Sequence, residues 1–370
     1  MKIFTISDNI ISPLGSTTEA NVLAIGNGQS GITKINNPEL SNDFFYGAKI
    51  NYDLPSIDEY TFLENLLINS IEQALSSVDV DLNRTILVLS STKGNIEQLN
   101  DKEKGKRIKL AEMAEAINEY FHLKHSPIVV SNACISGVSA ILVARNLIEM
   151  GAYDHAIVSG GDILSKFTLS GFNSLKAVSE SPCKPYDIRR DGISLGEGVG
   201  TIVISNDEKL KGDKMAYSEI IGGGQSNDAN HISGPSRTGA GLNLAVTKSF
   251  KASGIHANQI DYINAHGTAT LYNDEMESIA FDDLGLGKAP VNSLKGYFGH
   301  TLGAAGIIES ILTIRQLNAN QLMKSEGFNQ LGVSRKISVI EKTKKKNIDI
   351  ALKTVSGFGG CNAAIIFKKA

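Results

Sequence analysis

Apolar β-branched runs alternate with segments of helical length along the 370 residues, and the two halves of the chain echo each other. Together these predict an α/β architecture with largely parallel sheets, built from two copies of one unit packed face to face. The echo is clearest where Ile128-Val129-Val130, a loop and a Gly/Ala-rich apolar helix return as Pro290-Val291-Asn292, a loop and Gly303-Ala304-Ala305-Gly306-Ile307-Ile308. The length supports the same reading, because 370 residues exceed one simple core. We divide the chain at 1–212 and 213–370, with two central helices back to back and chemistry at their N-termini.

In chain order, residues 1 to about 35 read as strand, turn (Ser12-Pro13-Leu14-Gly15) and helix, with Ser16-Thr17-Thr18-Glu19 as its capping box. Ser56 to about Ser77 is a helix, since Tyr60, Leu63, Leu66, Leu67, Ile71 and Leu75 keep one apolar stripe. Thr85–Leu89 is a strand, 98–108 a charged, solvated segment, and an amphipathic helix runs from there to about His122. Pro127–Val130 reads as a buried strand, followed by a helix from Cys134 to Gly151 that carries only Arg145 and Glu149 as charges and so is covered on nearly every side. Ala156–Asp162 and Gly198–Ser205 are further strands. In the second half a strand from Met215 to Ile221 meets Gly222-Gly223-Gly224. Helices follow at roughly 237–253, 273–284 and 303–318, with strands near 260–265, 289–292, 337–340, 349–354 and 363–367.

Composition excludes several classes of function. Hydrophobic content of 42% and charged content of 20% describe an ordinary globular protein, and a net charge of −3 argues against nucleic acid as the partner. Apolar runs are broken by Ser, Gly or charge well short of a membrane span, and Met1-Lys2-Ile3-Phe4 leads into a strand instead of a signal peptide. A cytoplasmic protein is expected. Cys134, Cys183 and Cys361 form neither a disulfide framework nor a paired metal spacing.

The chemistry is sought first at Cys134. Alone in an apolar run it reads as a small buried residue, but Ala133, Ser136 and Gly137 leave room for a reactant to approach. At a helix N-terminus, unpartnered N–H groups and the macrodipole would lower its pKa and could also hold an oxyanion. Three further segments sit at strand ends, where α/β folds keep their sites: Asn264–Thr270 with His266, Lys295–His300, and the glycine-rich Gly357–Asn362. One cysteine and one histidine suit a hydrolase or acyltransferase. A second neutral imidazole suits an enolate, as in decarboxylative carbon–carbon condensation of a thioester. A His2Cys zinc site is the rival; the ligand types fit, but no short spacing supports it.

At this point the chain resembles the elongating β-ketoacyl-acyl carrier protein synthases, members of the thiolase-fold condensing enzymes. The resemblance runs almost end to end. It rests on Ser12–Gly15, Gly28–Ile32, Ala133-Cys134-Ile135-Ser136-Gly137, Pro185-Tyr186-Asp187, Arg190-Asp191-Gly192, Leu195–Gly198, Asn264–Thr270, Lys295 to Gly306 and Gly357–Asn362. It implies a thiolase-like, duplicated five-layer αβαβα fold with mixed sheets and buried central helices. Cys134 would accept an acyl group from the phosphopantetheine arm of an acyl carrier protein, with no other cofactor and no metal. The N–H groups of Cys134 and Phe358 would form the oxyanion hole, with Phe358 as gate. His266 and His300 would support decarboxylation of malonyl carrier protein, and Thr268 and Thr270 would hold the pantetheine. Lys295 matches a lysine that orders the site, either in catalysis or in an ion pair with an acid such as Glu309. Asp187, Arg190, Asp191 and Glu197 are read as structural. The implied assembly is a homodimer or a ketosynthase-like heterodimer; a non-catalytic chain-length factor is the alternative, against which the retained Cys134, His266 and His300 count. The chain departs from the family by its shortness between about Gly94 and His125, by Ser356 in place of a common aromatic, and by Cys361 in place of Thr. The last two suggest altered gating or a wider pocket, for a polyene or polyketide chain.

Overall fold

A computed structural model describes residues 1–100, 107–210, 212–231 and 234–370. In chain order the strands are β1 Phe4–Ile11, β2 Ile32–Ile35, β3 Phe45–Ala48, β4 Thr85–Ser90, β5 Ile128–Val130, β6 His155–Asp162, β7 Leu195–Gly196 and β8 Gly198–Ser205. They continue as β9 Ser218–Asn227, β10 Tyr262–Asn264, β11 Pro290–Asn292, β12 Gln321–Leu322, β13 Ser338–Val339, β14 Lys344–Lys345, β15 Ile350–Gly357 and β16 Cys361–Lys369. The helices are α1 Thr18–Gly26, α2 Phe62–Leu75, α3 Leu110–Tyr120, α4 Ser136–Glu149, α5 Lys166–Ser174, α6 Ala240–Ser253, α7 Leu271–Asp283, α8 Lys295–Phe298 and α9 Ala305–Ala319.

The duplication is visible in the strand pairing. In the first half β1–β8 and β8–β6 are antiparallel, while β6–β4 and β4–β5 are parallel. In the second half β9–β16 and β16–β15 are antiparallel, while β15–β10 and β10–β11 are parallel. Each half then sends one helix inward, α4 after β5 and α9 after the β11 loop. Helices α2 and α3 cover the outer face of the first half, and α6 and α7 that of the second. The α4 and α9 side chains share one core with strands of both halves, which gives five layers. The two sheets are not separate, because Phe4↔Glu219 and Thr5↔Ser218 join β1 to β9 in one eleven-stranded sheet.

Several local expectations are corrected. The α1 cap is Thr17, which accepts from the Ala20 N–H without a reciprocal box. The complete capping box lies at α2 instead, between Thr61 and Glu64, so that helix begins at Phe62 and not at Ser56. Strand β5 lies at the sheet edge and is half-buried. Helix α4 starts at Ser136, two residues past Cys134. Gly222-Gly223-Gly224 lie inside β9: a Cβ on Gly223 would meet Leu142 of α4, and one on Gly222 or Gly224 would meet the α6 backbone. Strand glycines here serve close helix approach, not a turn. Residues 101–106 of the expected solvated segment lie outside the described residues. Among the described residues, no helix is long and apolar enough to cross a membrane.

The two central helices meet backbone to backbone. A Cβ on Gly306 would stand 2.5 Å from the Val138 N, and one on Gly137 would stand 2.7 Å from the Ile307 N. No rotamer change relieves a clash with backbone, so Gly306→Ala is expected to cost about 3 kcal/mol or more, measured as a lower urea midpoint at unchanged m-value.

Candidate active site

Cys134 stands in the turn between β5 and α4. The turn is wound tightly: Ala133 has a left-handed φ of 44°, costly for a residue with a Cβ. Ser136 holds it there, accepting from the Asn132 N–H at 2.7 Å and donating to the Ala133 carbonyl at 2.6 Å. The Cys134 thiol is buried and is hydrogen-bonded by the Phe358 N–H.

His266 follows β10. Its own N–H and that of Gly267 donate to the two oxygens of Glu277, at 2.8 and 2.7 Å, and Lys295 Nζ donates to its carbonyl at 2.6 Å. Gly267 has φ 45° and presses on Ser293 so closely that a Cβ would lie 2.4 Å from the Ser293 Cβ. His300 follows α8 after Gly299, whose φ of 65° turns the chain. Its N–H donates to the Ser194 carbonyl at 2.7 Å, and its carbonyl accepts from the Gly196 N–H at 3.0 Å. Phe358 sits on the β15–β16 hairpin. Gly359 and Gly360, at φ 84° and 76°, let that turn close, and the Phe358 ring lies 5.4 Å from Phe172.

These remote segments converge. The Cys134 sulfur and one ring nitrogen from each of His266 and His300 lie within 4.8 Å of one another. The rings stand edge to face, 5.3 Å apart. All three line a cavity of about 400 Å³ together with Thr268, Thr270 and Phe358, and the exposed side chains of Leu175 and Tyr272 reach its mouth. The Thr268 and Thr270 hydroxyls lie 2.8 Å apart. Lys295 is fully buried behind the cavity, where Nζ meets Glu309 Oε1 at 2.6 Å. The ion pair anticipated from the sequence is thus present, and its second bond, to the His266 carbonyl, ties that loop down.

Charge determines what the cluster can hold. Burial, then Lys295, His300 and Lys353, keep the His266 imidazole well below its ordinary pKa; burial, Lys295 and Lys353 do the same for His300. Among the described residues neither His300 ring nitrogen has a hydrogen-bond partner, nor does His266 Nδ1. Both rings are therefore neutral, with N–H groups free for an incoming oxygen. A zinc ion would find suitable donors, but not the outer-shell acceptor that orients a ligating ring, and it would sit beside two buried lysines. The site favours an anion.

The expected drop in the thiol pKa is overturned. Burial pushes Cys134 up to about 12, Cys361 adds to this, and Lys295, the Phe358 N–H and Lys93 do not outweigh it. Cys134 immediately precedes Ile135, the N-cap of α4, and is not itself part of the first turn. Sequence reasoning also missed Glu277, Asp274 and Lys353. Asp274 accepts from the Tyr186 and Ala269 N–H groups; burial and Glu277 raise its carboxyl to about 7. For Lys353 the available signal was the one charge of an otherwise uncharged strand; Asp274 and Glu277 stand among the acidic residues of α7 and carried no such mark. Iodoacetamide is expected to label Cys134 at pH 7 about a hundredfold more slowly than an exposed thiol, at a rate still climbing at pH 10, as read by peptide mass spectrometry. A plateau at pH 8–9 contradicts the assignment.

Family models agree with this geometry. The N-terminal domain of β-ketoacyl synthase matches residues 83–209 and the C-terminal domain matches 217–329, together well over half of the chain. A 3-oxoacyl-[acyl-carrier-protein] synthase 2 of Vibrio cholerae is 29% identical over 411 aligned positions, covering 97% of each chain. The enzyme of the same name from Rhizobium meliloti is 35% identical over 254 residues, which span 65% of this chain and 60% of the relative. Among solved structures, a ketosynthase in complex with its chain length factor from Xenorhabdus doucetiae superposes with a TM-score of 0.91 at 24% identity, over 100% of this chain and 98% of that one. A β-ketoacyl synthase from Burkholderia phymatum does so with 0.90 at 24%, over all of both chains. These two likenesses show the thiolase-like fold. With both family domains matched in order around one cysteine and two histidines, the chain belongs to the β-ketoacyl synthase family.

Proposed function

We propose that this protein is a β-ketoacyl-[acyl carrier protein] synthase, an acyltransferase that condenses malonyl carrier protein with an acyl group held on Cys134. The observation that carries the reading is the meeting of one thiol and two neutral, unpartnered imidazoles within 4.8 Å at the floor of one cavity. The nucleophile comes from the half 1–212, the imidazoles and the gating hairpin from 213–370.

The thiol of Cys134 attacks the thioester carbonyl of an acyl phosphopantetheine lying in the cavity against the hydrogen-bonded hydroxyls of Thr268 and Thr270. An imidazole takes the thiol proton and returns it to the departing pantetheine sulfur. The oxyanion rests on the N–H groups of Cys134 and Phe358. Malonyl carrier protein then enters and loses carbon dioxide. Its enolate oxygen accepts from the His266 and His300 rings, and its carbon attacks the acyl-Cys134 carbonyl, expelling the Cys134 thiolate, which takes up a proton from water to restore the thiol. The phosphopantetheine belongs to the carrier protein, so the chain needs no resident cofactor and no metal.

A hydrolase or simple transferase would pair the cysteine with a histidine oriented by a third group. No such group touches either ring among the described residues. For assembly, the half-buried edge strand β5, with Ile128, Val129 and Val130, offers unpaired backbone to a second ketosynthase-like subunit. Such an assembly would parallel the ketosynthase–chain length factor complex of the Xenorhabdus neighbour. Ser356 lines the cavity and donates to Asn362 at 2.7 Å, which leaves room that an aromatic would fill and suits a polyene or polyketide chain. The unpaired thiols suit the reducing cytoplasm.

Two half-reactions test this. Mass spectrometry is expected to show acyl transfer from acyl carrier protein to Cys134, lost in Cys134→Ala. Carbon dioxide release from malonyl carrier protein is expected to fall about a hundredfold in His266→Ala and His300→Ala. Acylation without carbon dioxide release identifies a transferase; neither activity identifies a chain-length-factor-like subunit.

A further inference from the structure

Lys353 is the one charged residue of β15, on a strand whose neighbours Leu352, Thr354 and Val355 are fully buried. Its ammonium has no solvent and finds a carboxylate that is already in use. Lys353 Nζ meets Glu309 Oε2 at 2.5 Å, while Lys295 Nζ holds Oε1 at 2.6 Å. A single pair, Lys295 with Glu309, would balance the interior. The second lysine adds a positive charge that the buried Glu277 of α7 answers in part, and such buried ion clusters are held at a cost in stability.

The charged and polar groups facing Lys353 are Glu309 from α9, Lys295 from α8, Glu277 from α7, and the Ala265 carbonyl beyond β10 at 3.4 Å. Glu277 is occupied by the His266 and Gly267 N–H groups. Lys353 thus stands with Lys295 against the loop of His266, and its charge acts on both imidazoles.

On the condensing-enzyme reading, we infer that Lys353 is a positioning residue for the decarboxylation step: its ammonium, set beside the His266 loop, favours the enolate that the two imidazoles hold. In a low-dielectric interior such a charge is felt over several ångströms. Acyl transfer to Cys134 begins and ends without net anion at the imidazoles and draws less on it. Burial lowers the Lys353 ammonium to about 8, against the pull of Glu309. The advantage is accordingly full below pH 8 and fades above it.

The test is Lys353→Met in the full chain, which removes this charge and leaves the Lys295–Glu309 pair and its bond to His266. The expected result is a Tm equal to or above the parent's, acyl transfer to Cys134 within about threefold, and carbon dioxide release from malonyl carrier protein reduced about tenfold or more. The parent's fall in carbon dioxide release above pH 8 should be absent from the variant. Histidine NMR titration, assigned with His266→Asn and His300→Asn, should show both imidazole midpoints rising by about one pH unit in Lys353→Met. Carbon dioxide release at the parental rate and pH profile overturns the inference; so does a joint loss of both half-reactions with a lower Tm, which marks Lys353 as a brace of the fold. The titration needs no turnover. If the parent protein condenses nothing, the functional reading fails on its own, while unmoved midpoints overturn the role of Lys353. Should Lys353→Met not fold, Lys353→Gln carries the same arms.

Discussion

The contact of Gly137 with Gly306 sets the distance between the two halves of the molecule, and the site depends on that distance. Helices α4 and α9 touch through backbone because neither residue has a side chain to hold them apart. Each helix is entered from a loop that carries chemistry: the turn with Cys134 before α4, and the segment with His300 before α9. Bringing the helix starts together therefore brings sulfur and imidazole together. Ser90 reinforces the arrangement by donating to the Gly303 carbonyl at 2.9 Å. Asp162, fully buried, accepts from the Gly303 N–H and from the Ser91–Lys93 turn, binding a first-half strand end to the entrance of α9.

Around this frame the interior holds more charge than a simple core would. Glu309 lies between two lysines, Glu277 accepts from the loop of His266, and Asp274 accepts from that loop and from Tyr186. Each of these groups fixes backbone that would otherwise be a free glycine-rich loop. The result is a resting site without strong charge at its surface: a protonated thiol and two neutral rings, with Lys295 and Lys353 behind them on Glu309. Such a site is quiet until a thioester or a carboxylate enters, and its donors then meet the charge as it develops.

The sequence showed the alternation of strands and helices, the repeated helix-and-glycine unit, and the residues Cys134, His266, His300 and Phe358, because each stands in a local context of small residues at a strand end. It misplaced the start of α2, where Thr61 and Glu64 form the capping box while the Tyr60 ring packs outside the helix against Tyr120. It read Gly222–Gly224 as the end of a strand, whereas those glycines admit α4 and α6 from opposite faces of β9. Apolar periodicity reports burial along one element and says nothing of how near a second element comes.

What the sequence determined by itself was which chemistry the chain can perform, since a thiol, two imidazoles and a glycine-rich hairpin are properties of residues and their immediate neighbours. The tertiary structure alone decided the state in which that chemistry waits. The thiol pKa depends first on burial, which Lys295, Lys93 and the Phe358 N–H from other elements oppose without outweighing. The sharing of Glu309 by Lys295 and Lys353, residues 58 positions apart in the chain, exists only once β15, α8 and α9 are packed, because electrostatic balance is summed over space and not along the chain.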